Sequence, residues 1–139
     1  RPNQVYAVQV PSANLGLDAE DGIIVTTRSR EGVVGVINHT WSVGPPTERP
    51  WVSVTGTLAN LHFELGSRWL KIDHGESQET RQFGNDHHGI AAMVSEFKRS
   101  IMEESEPAMT GEEGLKDLDL VLKAYESVQS GLPVWINAL

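Results

Sequence analysis

The feature that most constrains this chain is the order of its two hydrophobic periods: strand-like alternation fills the first half and helix-like spacing the second. Residues 5–10 form a short apolar run rich in β-branched side chains, and Ile23-Ile24-Val25-Thr26-Thr27 is β-branched throughout. Branching at Cβ suits a pleated, extended backbone, so both runs predict strands. Between residues 33 and 43, Val33, Gly35, Ile37, His39, Trp41 and Val43 fall on one face, and Val34, Val36, Asn38, Thr40 and Ser42 on the other. The face with Trp41 is the more apolar and is expected to be the better buried. Gly44-Pro45-Pro46 must end that strand, because proline donates no ladder bond and fixes its own φ. Residues 51–55, 58–65 and 69–72 predict three more strands of an antiparallel meander. Residues 74–87 are polar around a single aromatic, Phe83, and read as a linker.

Helical spacing follows. Ile90, Val94, Phe97 and Ile101 form one stripe with Met93 alongside, while Glu96, Lys98, Arg99, Glu103 and Glu104 mostly turn away. A second helix opens at Thr110-Gly111-Glu112-Glu113, a capping box in which Thr110 accepts from the N–H of Glu113 and Glu113 reaches back. Its stripe is Leu115, Leu118, Leu122 and Tyr125, with Val121 and Val128 beside it, and Gly131 stands at the left-handed C-terminal position. Residues 133–136 predict a last strand. Strands followed by helices mean α+β: a mostly antiparallel open sheet with two amphipathic helices on one face, the other face being available for oligomerisation.

Composition narrows the function. At 139 residues and 15.3 kDa, residues 1–139 are expected to form a single domain. Eleven Lys and Arg against nineteen Asp and Glu give a net charge of -8, which repels nucleic-acid phosphates and anionic membranes. The absence of cysteine excludes disulfides, thiolate metal sites and a cysteine nucleophile. No apolar run approaches the roughly 18–20 residues that span a bilayer, and no basic-then-apolar leader opens the sequence, so a cytoplasmic location is expected. The chain starts Arg1-Pro2 without Met, which suits a processed product or a piece of a longer protein.

The second half carries a likeness. The sequence from Phe97-Lys98-Arg99-Ser100-Ile101 through Glu106-Pro107, Thr110-Gly111-Glu112-Glu113-Gly114 and Tyr125-Glu126-Ser127 to Ser130-Gly131-Leu132-Pro133-Val134 resembles the C-terminal end of the Gfo/Idh/MocA oxidoreductases. Asp21 to Val25, Gly32 to Ile37 and Val54-Thr55-Gly56-Thr57 resemble earlier family strands, with Ala59 where a glycine is usual. The likeness covers nearly all 139 residues. It implies the family's C-terminal substrate and oligomerisation domain, without the Rossmann domain: there is no Gly-x-Gly-x-x-Gly, no Glu-Lys-Pro carrying a lysine and no Asp-x-x-x-His element. NAD or NADP is therefore implied for a full-length parent and not for this chain alone. The implied ligand is a sugar, polyol or similar hydroxylated substrate, and the implied partner is a second copy, met through the sheet. The competing reading is a free-standing binding or assembly module that dimerises or docks on a separate catalytic subunit.

The resemblance points to the loop and strand before Val54 for substrate lining, hence Arg49 and Trp51, with Glu48 near. Trp51 either stacks on a sugar ring or packs in the sheet, and Arg49 either bonds hydroxyls or stays solvated. His39 and Trp41 share a strand face that forms part of a substrate floor or simply packs. His87 and His88 precede the first helix, where the partial positive charge of its N-terminus favours a polar group; Asp86 is the alternative occupant, as its cap. His74, Asp86, His87 and His88 lack the spacing of a metal site, and none is assigned. The sequon Asn38-His39-Thr40 lies in a predicted strand and the acidic run 102–106 at a helix end, and neither is assigned chemistry.

Overall fold

The computed structural model describes residues 1–9, 20–40, 52–64, 68–84 and 89–136. The chain divides into two compact units, one made of Arg1–Pro45 with Met109–Leu139, the other of Pro46–Ala108. Both are built on antiparallel strands, so the α+β class holds. The described strands form two four-stranded sheets in place of one open sheet.

In the first unit the strands are β1 (Pro2–Gln9), β2 (Gly22–Ser29), β3 (Val34–Thr40) and β8 (Val134–Trp135), in the order β3-β2-β1-β8. Helix α2 (Gly111–Ser130) packs on β1 and β8. The alternation of β1 explains the core: Val5 and Ala7 point to the helix and are buried, while Tyr6 and Val8 point away and are 39% and 47% exposed. Val25, Ala124 and Ile136 complete the buried cluster, with Ile23, Leu120, Val128 and Val134 packed against it. Each fully buried valine here contributes about 1.5–3 kcal/mol through removal of apolar surface from water.

Helix α2 presents a different face from the one its large side chains suggest. Leu120, Ala124, Ser127 and Val128 approach the sheet, whereas Leu115, Leu118, Leu122 and Tyr125 stay exposed. The two sets are two residues out of phase, roughly 200° around the helix, so they lie on opposite sides. Small side chains at Ala124 and Ser127 let the helix axis come close to β1, which a leucine there would prevent. The capping prediction holds in one arm: Thr110 accepts from Glu113 N–H at 3.2 Å, but the Glu113 carboxylate pairs forward with Lys116 instead of reaching back. Gly131 closes the helix at φ 69°, as expected. Strand β3 also departs from expectation. Ile37 is 54% exposed and His39 is exposed, because β3 is an edge strand and α2 lies over the opposite edge.

In the second unit, β4 (Val52–Thr55), β5 (Asn60–Phe63), β6 (Trp69–Asp73) and β7 (Gln78–Gln82) form a meander in sequence order. The register places Val52, Val54, Leu61, Phe63, Leu70 and Ile72 on one face and Ser53, Thr55, Asn60, His62, Trp69, Lys71 and Asp73 on the other. Strand β7 corrects the linker expected over residues 74–87. Its sequence Gln-Glu-Thr-Arg-Gln has no apolar residue for a periodicity to register, and it is held by backbone pairing to β6. The hairpin is set by Asp73, whose Oδ1 accepts from Gly75 N–H at 2.8 Å, with Gly75 at φ 87°. A fully exposed, charged edge strand of this kind resists edge-to-edge association. Helix α1 (Ile90–Met102) contains the whole expected stripe and starts after Gly89, whose φ of 83° only glycine adopts readily. Its stripe of Ile90, Val94, Phe97 and Ile101 is more than half exposed, and its one buried residue is Ser100.

Candidate functional site

Of the six residues singled out for substrate contact, His39 alone falls among the described residues. It sits opposite Ile23 on the face of the first sheet that carries α2, near the end of β3, and is exposed. Trp41, Arg49, Trp51, His87 and His88 lie outside the described residues, as do Glu48 and Asp86. His74 lies in the turn between β6 and β7. Among the described residues no group of three or more His, Asp or Glu could hold a metal ion.

The geometry brings forward residues that sequence reading passed over. On the polar face of the second sheet, the register aligns Ser53, His62, Lys71 and Thr80 in one row across four strands. Ser53 Oγ lies 3.0 Å from His62 Nδ1, and Lys71 Nζ lies 5.1 Å above the Trp69 ring. The only sequence signal for this row was the alternation within β4, β5 and β6; its fourth member stood in the unrecognised strand. Elsewhere in the second unit, Phe63, Glu64, Trp69, Leu70 and Phe83 line an open recess of about 300 Å³. In the first unit, Arg1, Pro2, Glu113, Lys116, Asp117, Leu120 and Ile136 line a cleft of about 350 Å³ beside α2.

Electrostatics in the first unit centre on Tyr125 and Glu20. The tyrosine hydroxyl donates to the Glu20 carboxylate; this bond holds Glu20 below the usual carboxylate range and pushes the phenol up. Glu113 is likewise held down, chiefly by its bond from the Lys116 ammonium. The N-terminus of α2 offers a nucleotide phosphate a poor seat. Thr110 already fills the N-terminal cap of α2, and Glu112 and Glu113 occupy its first turn, where their charge opposes an anion.

The fold is one shared with part of several solved oxidoreductases, in line with the sequence resemblance. Among the similar solved structures is an oxidoreductase from Agrobacterium radiobacter in complex with NAD+, L-tartaric acid and magnesium, with TM-score 0.82 and 17% identity over 96% of this chain and 43% of that one. Another is the aldose-aldose oxidoreductase from Caulobacter crescentus complexed with glycerol, with TM-score 0.78 and 19% identity over 97% and 41%. A third is the WlbA dehydrogenase from Bordetella pertussis in complex with NADH and UDP-GlcNAcA, with TM-score 0.62 and 20% identity over 99% and 39%. The chain thus spans about two-fifths of the length of these structures. No protein-family model and no curated protein matches it.

Proposed function

We propose that these residues are the substrate-binding and oligomerisation half of an NAD(P)-dependent oxidoreductase that acts on a sugar, polyol or similar hydroxylated compound in the cytoplasm. The observation that carries this reading is the likeness of fold to proteins solved with NAD+ and L-tartaric acid, with glycerol, or with NADH and UDP-GlcNAcA, of which this chain covers about two-fifths. Its support in the sequence is the absence of any dinucleotide fingerprint, which assigns the nicotinamide to another part of the parent. The work left to this half is orientation and exclusion of water. In that role Arg49 and Trp51 grip and stack the substrate, His39 and Trp41 contribute a floor, and His87 or His88 bonds a hydroxyl. No helix among the described residues is long and apolar enough to cross a membrane.

The oligomer rests on the outer face of the first sheet. Tyr6, Val8, Ile24, Val34, Val36 and Trp135 share that face by register, and each is at least 39% exposed. An apolar sheet face of this kind is matched by a second copy of itself. The test is an assay of the protein in its full natural chain. Reduction of NAD+ or NADP+ that depends on an added aldose or polyol, with KM raised by Arg49→Ala or Trp51→Ala, supports the reading. A natural product of mass near 15.3 kDa, with no nucleotide-dependent activity, overturns it in favour of a free-standing assembly module.

A further inference from the structure

We propose that the polar face of the second sheet is a binding site for one compact oxyanion, a phosphate or a carboxylate group, held between His62 and Lys71. The argument starts from register. Ser53, His62, Lys71 and Thr80 stand directly opposite one another on four consecutive antiparallel strands, so their Cβ atoms follow at about 4.5–5.5 Å. The row therefore presents an ammonium, an imidazole and two hydroxyls in one line. With Ser53 donating to His62 Nδ1, His62 Nε2, Lys71 and Thr80 are left as donors, and none of the four carries negative charge.

Two contacts organise the row. Ser53 Oγ at 3.0 Å from His62 Nδ1 fixes the imidazole and leaves Nε2 for another partner. Lys71 Nζ lies 5.1 Å over the Trp69 ring, a cation–π contact that orients the ammonium on the same face. The concentration of donors is notable in a chain of net charge -8.

The neighbouring rows set the size of the ligand. On one side stands Asp73, its Oδ1 engaged by Gly75 N–H at 2.8 Å; on the other, Glu64 follows β5 and lines the same recess as Trp69. Carboxylates on both sides repel an extended polyanion and leave room for a single anionic group. Nucleic acid is thereby disfavoured, and a phosphate ester or a carboxylic acid fits. This proposal stands on the second sheet alone, apart from the oxidoreductase reading.

The test follows the histidine ring signals of the full natural chain by NMR during titration with inorganic phosphate, sodium acetate and, as a control, sodium chloride at matched ionic strength. The expected result is a saturable shift of the His62 signals with phosphate or acetate, and no comparable shift with chloride. Response to phosphate alone assigns the site to phosphate esters, and response to acetate alone assigns it to carboxylates. Lys71→Met is expected to raise the half-saturating concentration about tenfold, and Ser53→Ala, at an exposed position, to weaken binding by less. Shifts no larger than those in chloride, or a Lys71→Met protein that titrates like the parent, would overturn the proposal.

Discussion

Ser127 shows how one hydroxyl ties three elements together. It is fully buried, and its Oγ accepts from the Ala7 N–H of β1 at 3.0 Å while donating to the Leu132 carbonyl at 2.7 Å. β8 pairs with β1 only at Gln4 and Val5, so the hydroxyl meets a strand donor that the short partner does not reach. Ser127→Ala leaves that N–H unbonded in the interior, and its expected cost is about 1–3 kcal/mol, read as a lower urea midpoint with an unchanged slope. Tyr125 offers a residue-scale test of charge. Its bond to Glu20 raises the phenol, so that contribution is complete below the ordinary tyrosine value and is lost as pH rises through the raised one. The same bond lowers Glu20, whose contribution is present above the ordinary carboxylate value and fades as pH falls through the lowered one. Ultraviolet titration of Tyr125 should give a midpoint above the ordinary tyrosine value, and Glu20→Gln should bring it back down. An unchanged midpoint in that variant would remove the contact.

Among the elements, α2 is the best signposted and also the most misleading. Its ends were legible because capping chemistry is local: Thr110 accepts from Glu113 N–H, and Gly131 takes the left-handed position. Thr110→Ala is expected to cost about 1 kcal/mol, detectable as a lower thermal midpoint, whereas Glu112→Gln should change it far less. The buried face was not legible, because hydrophobic size and burial part company there. Leu118 and Leu122 are large and exposed, while Ala124 and Ser127 are small and covered. β7 escaped notice for a related reason: an exposed edge strand buries nothing, and its pairing with β6 is written in backbone hydrogen bonds. β1 and β2 were legible through their β-branched runs, β3 through its alternation, and β4, β5 and β6 as short runs of a meander. Of the proposed substrate contacts, five of the six lie outside the described residues. The Ser53–His62–Lys71–Thr80 row depended on register across four strands, which no single-strand pattern contains.

For the whole molecule, the account rests on two facts: a sheet with an apolar outer face, and similar solved structures that are more than twice as long. Val36, 66% exposed on that face, lies opposite Thr26 in the register. Val36→Asp should shift the full natural chain toward monomer in sedimentation velocity with little loss of thermal stability. The same variant should leave phosphate binding at the second sheet unchanged. The most direct test of the central claim is a titration of NADH and NADPH against the 139-residue chain and against the full natural chain, followed by tryptophan fluorescence. The account predicts saturable quenching by the full chain and none by the 139 residues alone. Tight, saturable binding by the 139-residue chain would contradict it, since the nucleotide site would then lie within a sequence that has no fingerprint for it.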